Sequence, residues 1–199
     1  MFTRTVTFTG ATDFDAGLRY LQNTVAPLLR EQKGFRGVTA SADRSGGVLG
    51  VLSLWETEAD RDASESTLVK AREEGQRVIG GDITVEHFEE LLVEIGKPPV
   101  AGCSLLVRRL SMDPAKIEEN LGFFRREVLP QIKANPGFCA VRNMINRQTG
   151  EGMVGTVWAD RASMDAAAEA GEARRQLAAE RGVSLGEQSK REIIFVDLR

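Results

Sequence analysis

The chain has 199 residues, 42% hydrophobic and 28% charged, with 26 Lys+Arg against 29 Asp+Glu and a net charge of −3; this is globular composition without bias toward disorder, collagen or membrane. The two signs are intermixed, which argues against nucleic acid as a partner, and no apolar run reaches the roughly 18 residues of a membrane-spanning helix. Two cysteines, Cys103 and Cys139, and a single histidine, His87, are too few for a disulfide framework or a zinc site. The start, Met1-Phe2-Thr3-Arg4-Thr5, lacks the apolar core of a signal peptide, so the expected location is the cytoplasm.

An opening strand is expected over Arg4-Thr5-Val6-Thr7-Phe8-Thr9, where β-branched residues alternate. A helix follows, with Phe14, Leu18, Leu21, Val25 and Leu28 in one apolar stripe. Pro27 removes a backbone donor and should kink its last turns before the Gly34 stop. Phe35 to Ala42 and Val48 to Trp55 read as a strand pair across the glycine-rich turn at Ser45-Gly46-Gly47. A second helix, capped by Thr57, runs past Arg72, and a strand over Phe88 to Ile95 ends the segment; the stretch between them shows no assignable pattern. Residues 96–102, with Pro98-Pro99, read as a short stiff linker.

The same order then recurs. Ser104 to Val107 reads as a strand, Asp113 caps a helix with Pro114 at its first position, and Ile117, Leu121, Phe124, Val128 and Ile132 form the stripe. A strand pair over Phe138 to Asn146 and Met153 to Trp158, a helix from Asp160 and a strand over Glu192 to Leu198 complete it. Setting residue n against n+103 without a gap gives sixteen identities in 96 pairs, against about six expected at ordinary residue frequencies. They include Pro27/Pro130, Gly34-Phe35/Gly137-Phe138, Arg44/Arg147, Trp55/Trp158 and Arg72/Arg175. The expected organisation is therefore repeat 1 over 1–95, a linker over 96–102 and repeat 2 over 103–199, each a ferredoxin-like βαββαβ unit. Each sheet has a face its helices leave bare. Two such units in one chain can cover those faces sheet to sheet, so the fold class expected is an α+β intrachain pseudo-dimeric barrel, a monomer with internal pseudo-two-fold symmetry.

The turns Lys33-Gly34-Phe35 and Asn135-Pro136-Gly137-Phe138, each followed by a hairpin, a strand ending in Trp and an acidic, alanine-bearing helix (Trp55-Glu56-Thr57-Glu58-Ala59, Trp158-Ala159-Asp160-Arg161-Ala162), resemble the antibiotic biosynthesis monooxygenase-like family of dimeric α+β barrels. The resemblance covers nearly the whole chain, twice. It implies cofactor-independent oxygenation of aromatic polyketides, haem degradation or an unassigned role, with a pocket between sheet and helices in each half and the strand-end tryptophan, Trp55 or Trp158, on its wall. Many members carry a histidine on the second helix about ten residues after the tryptophan; Ser64/Glu65 and Ala167/Ala168 stand there instead. Haem degraders use an asparagine on the first strand, where this chain has Thr5, Thr7 and Thr9, or Val107 and Arg108. Haem is therefore disfavoured.

Among the residues themselves, Trp55 and Trp158 offer flat faces for an aromatic ligand, with Phe35, Phe138 and Asn143 as further ligand-binding candidates; duplicated core packing is the competing explanation for the tryptophans. His87 is the one side chain titrating near neutrality and hence the candidate general base for proton removal from a phenol, although Lys190 stands at its place in the second repeat. No glycine-rich phosphate loop occurs, so no cofactor is expected. The function expected is a cofactor-independent monooxygenase-like protein binding a small hydrophobic or aromatic molecule, or a non-catalytic small-molecule-binding or structural barrel.

Overall fold

The computed structural model describes residues 1–199. Its elements run twice through strand, interrupted helix, strand pair, interrupted helix and strand. First come β1 (Phe2–Thr9), helical turns over 14–30, β2 (Phe35–Asp43), β3 (Val48–Trp55), helices Glu58–Ala63 and Glu65–Ile79, and β4 (Asp82–Ile95). Then follow β5 (Ser104–Met112), helical turns over 114–134, β6 (Phe138–Ile145), β7 (Glu151–Trp158), helices Arg161–Glu172 and Arg175–Glu180, and β8 (Val183–Leu198). The hydrogen-bonded order β1-β3-β2-β8-β5-β7-β6-β4 closes on itself, an α+β barrel.

Local chemistry sets the element ends. Thr57 Oγ1 accepts from the Asp60 amide at 3.0 Å and Asp160 Oδ1 from the Ser163 amide at 2.8 Å, each cap contributing about 1 kcal/mol. Gly34 and Gly137 take left-handed φ of 72° and 78°, and a Cβ at either would collide with Asp60 or Ser163 in the first turn of the next helix. Left-handed backbone and close approach both favour glycine there. Pro27 and Pro130 follow π-helical segments, Leu21–Val25 and Phe124–Val128, where the Ala26 and Leu129 amides reach back five residues to the Leu21 and Phe124 carbonyls. A widened turn removes the clash a proline ring makes with the carbonyl four residues earlier, and the helix continues to Arg30 and Ala134.

The strand pairings repeat with a one-residue exception. Phe35 pairs with Trp55 and Phe138 with Trp158, each with a bulge at the next residue. Ile95 pairs with Ala140 and Leu198 with Gly37, and these two ladders match position for position, including the bulges that skip Leu91 and Ile194. In the opening strands, however, Phe2 stands opposite Trp55 and Ser104 opposite Trp158, so β1 and β5 correspond at n+102. Strand register follows the face that must be buried rather than sequence identity. The long last strands also exceed expectation: β4 starts at Asp82 and β8 at Val183, absorbing the unassigned stretches. Their polar residues, such as Glu86, Glu187 and Ser189, mask the period-two pattern.

The chain folds as two compact units, residues 1–87 with 192–199, and residues 88–191. The core of the first gathers Leu29, Phe35, Val38, Trp55 and Leu68. That of the second gathers Ile117, Leu121 and Val141, with Ile132, Trp158 and Met164 beside them.

Candidate functional site

The strand-end tryptophans are set identically in the two units. The Trp55 indole N–H donates to Ser53 Oγ at 3.0 Å and that of Trp158 to Thr156 Oγ1 at 2.9 Å, two residues back on the same strand. Phe35 meets Trp55 edge-on with ring centroids 5.7 Å apart, and Phe138 meets Trp158 likewise at 6.0 Å. Both indoles are essentially fully buried. Their polar handles are satisfied internally, which is the behaviour of a core tryptophan.

The space beside them differs. The second unit holds a cavity of about 180 Å³ between its sheet and helices, with Leu106, Phe124, Val154 and Trp158 among its walls. The first unit keeps about 70 Å³, and Trp55 does not line it. The aligned second helices explain the contrast. Where the first unit has Ser64, Glu65 and Leu68, the second has Ala167, Ala168 and Gly171, and all three of these line the larger cavity. Leu68 is buried and lines the smaller cavity at the place where Gly171 leaves the larger one without a side chain.

The larger cavity has an apolar body and a few polar groups. Asn143 on β6 is 4% exposed and lines it, and its buried Oδ1 has no hydrogen-bond partner. Such an orphaned acceptor costs about 1–3 kcal/mol. The equivalent residue in the first unit is Ala40. Arg108 bonds Glu172 and Gln188, Arg181 bonds Glu119 at 2.9 Å, and Arg174 bonds the neutral Gln131 Oε1 at 3.2 Å. No carboxylate, imidazole, thiol or phenol lines the wall, so it holds no side chain suited to act as a general base.

The first unit puts a polar plug in the corresponding region. Arg4, 2% exposed, donates to the Arg61 carbonyl at 2.6 Å and to Ser64 Oγ at 3.0 Å, pairs with Glu65 at 3.0 Å, and stands 5.7 Å from the Trp55 ring centroid. In the structural register Leu106 takes its place. His87 belongs to this plug: its Nε2 accepts from Arg4 Nε at 3.4 Å, and it lines neither cavity. Burial, then the charges of Arg61 and Arg4, holds its pKa below the usual value, against the weaker pull of Asp62 and Glu65. The unfolded chain therefore takes up this proton first, and the stability linked to His87 is complete above about pH 6.5 and declines as pH falls from there toward the lowered folded value. Thermal melts from pH 7.5 to 5.5 are expected to show a drop that the His87→Gln variant lacks; equal slopes would contradict it.

Of the residues singled out from sequence, Trp158 and Asn143 thus meet on one cavity wall, Phe138 packs behind Trp158, and Trp55, Phe35 and His87 line neither of the two cavities. Cys103 and Cys139 are free and buried, and burial, with Cys103 alongside, pushes the Cys139 thiol up, away from a reactive thiolate. Sequence reasoning missed Gly171, Ala168 and Arg174. Each lies where the repeats disagree, while attention to identities leads to the shared core.

No family model matches the chain. It is 28% identical over 189 residues to the uncharacterised Mycobacterium tuberculosis H37Rv protein Rv2558, covering 93% of this chain and 79% of that protein. Among solved structures, an anthrone oxidase-like protein superposes with TM-score 0.70 at 13% identity, covering 99% of this chain and 92% of that one. A heme-degrading enzyme from Listeria monocytogenes gives TM-score 0.52 at 11% identity, over 96% and 99% of the chains. An uncharacterised ferredoxin-fold protein related to antibiotic biosynthesis monooxygenases, from Listeria monocytogenes 4b F2365, gives 0.51 at 12% identity, over 98% and 96%. Closed strand order, helix placement and these likenesses agree: the chain has the α+β barrel fold of the antibiotic biosynthesis monooxygenase-like proteins.

Proposed function

We propose that the protein binds one small, flat hydrophobic molecule in the cavity of its second unit, and that the first unit is a scaffold derived from the same repeat. The observation that carries this reading is the apolar cavity of about 180 Å³ with the orphaned Asn143 oxygen in its wall. A dry engineered cavity of about 150 Å³ accepts benzene, so a ring system of one to two rings is the size class, and a hydroxyl or N–H on it would satisfy Asn143. The repeat boundaries at 1–95 and 103–199, a monomeric state and a cytoplasmic location belong to the same proposal.

Oxygenation is the second reading, favoured by the likeness to an anthrone oxidase-like protein. An activated ring CH₂ and O₂ would give C=O and H₂O, the substrate supplying all the electrons and no cofactor taking part. Proton removal would have to proceed without a protein base, because the cavity wall offers none. Binding without turnover is therefore the primary reading. Calorimetric titration with 2-naphthol and anthrone, followed by oxygen-electrode traces with each binder, tests both. The expected result is saturable binding at one site per chain with oxygen uptake no faster than without protein. Uptake matched by quinone formation would establish the second reading, and absence of binding by either compound would overturn both.

A further inference from the structure

Charge around the larger cavity is not balanced. Arg108 pairs with Glu172, which Arg175 also holds at 2.9 Å; the two arginines keep that carboxyl down at about 2. Arg181 is paired with Glu119 and lies over the Phe123 ring at 4.2 Å. Arg174, which lines the same wall between the helices Arg161–Glu172 and Arg175–Glu180, meets a neutral amide, Gln131, and no carboxylate. Its guanidinium is half-buried, and that burial lowers its pKa. A cation withdrawn from water into an apolar wall is unfavourable unless a counter-charge meets it. Its counterpart in the first unit is Ala71, so the charge is not a requirement of the fold.

We propose that Arg174 recognises an oxyanion, in the simplest case a carboxylate, carried by the hydrophobic ligand of this cavity. The inference rests on the binding reading above and narrows it: the ligand is an aromatic acid whose apolar body fills the cavity, whose anionic oxygen accepts charge-assisted N–H bonds from Arg174, and whose hydroxyl or N–H donates to Asn143. A planar guanidinium suits a carboxylate because two parallel bonds form at once. The other two cations of the wall are already engaged by carboxylates, Arg108 by Glu172 and Arg181 by Glu119.

The test compares 6-hydroxy-2-naphthoate with 2-naphthol by calorimetry on the full chain. The wild type is expected to bind the acid at least tenfold more tightly than the naphthol. Arg174→Ala, which installs the residue found at position 71, should remove that preference while changing 2-naphthol affinity less than twofold, and Arg174→Lys should restore part of it. Arg161→Ala, at a helix start outside the cavity wall, should leave the preference intact. Equal affinity for the two compounds in the wild type, or a preference that survives Arg174→Ala, would overturn the anion inference while leaving the binding reading standing. Failure of both compounds to bind folded wild type would overturn the binding reading and this inference with it. A purely structural role for Arg174 would weaken both ligands alike, which also contradicts the proposal.

Discussion

Truncating Trp158 to alanine is expected to cost about 3–5 kcal/mol of stability, and the same change at Trp55 about as much or more. Both side chains are essentially fully buried, each closes an edge-on pair with a phenylalanine, and each anchors its strand end through an indole hydrogen bond. Removing either strips a large apolar surface from its contacts and leaves a void. Trp55 should sit at the upper end, because Arg4 rests beside its ring and the indole lines neither cavity. Trp158 already borders open space, so its neighbours have more room to close in. Urea titrations of the two variants should show shifted midpoints with little change in slope. A loss below about 1 kcal/mol at either position would mean that these indoles are not core residues.

Gly171→Leu is expected to lower ligand affinity at least tenfold, a change of about 1.4 kcal/mol or more in binding, without destabilising the protein. Glycine lies within the helix Arg161–Glu172, where replacement by a good helix former contributes up to about 1 kcal/mol. A Cβ there meets nothing nearer than Arg174 Nη2 at 3.7 Å, an ordinary contact. The leucine side chain then takes the course of Leu68 in the first unit and fills the cavity. Binding of 2-naphthol measured beside a thermal melt checks both halves of the expectation. Unchanged affinity in a folded variant would show that the ligand goes elsewhere.

Much of the fold was legible because the repeat marks it. Gly34/Gly137, the Thr57 and Asp160 caps and the Trp55/Trp158 strand ends are identities or chemical equivalents, and each answers a backbone or packing demand that recurs in both halves. The one-residue shift between β1 and β5 was hidden because alternation reports which face a residue takes within a strand, not which residue of the neighbour it opposes. The N-terminal parts of β4 and β8 were hidden by their polar composition.

The candidate site was less legible for the opposite reason. A cavity is made by side chains that are missing, and Ala167, Ala168 and Gly171 read on their own as ordinary helix residues. Their meaning emerges against Ser64, Glu65 and Leu68. Asn143 was visible as a polar residue on a strand, but its orphaned oxygen is a property of packing. His87 drew attention through its chemistry; its neighbours turn out to be the cations and carboxylates of the Arg4 plug.

The most direct test of the account is where a ligand is felt. The chain contains 2 tryptophans, one per unit. Incorporation of 5-fluorotryptophan should therefore give two ¹⁹F resonances, assigned through Trp55→Phe. Titration with 2-naphthol is predicted to move the Trp158 resonance saturably and leave that of Trp55 in place. Movement of the Trp55 resonance instead, or of neither, would contradict the claim that the second unit's cavity is the binding site.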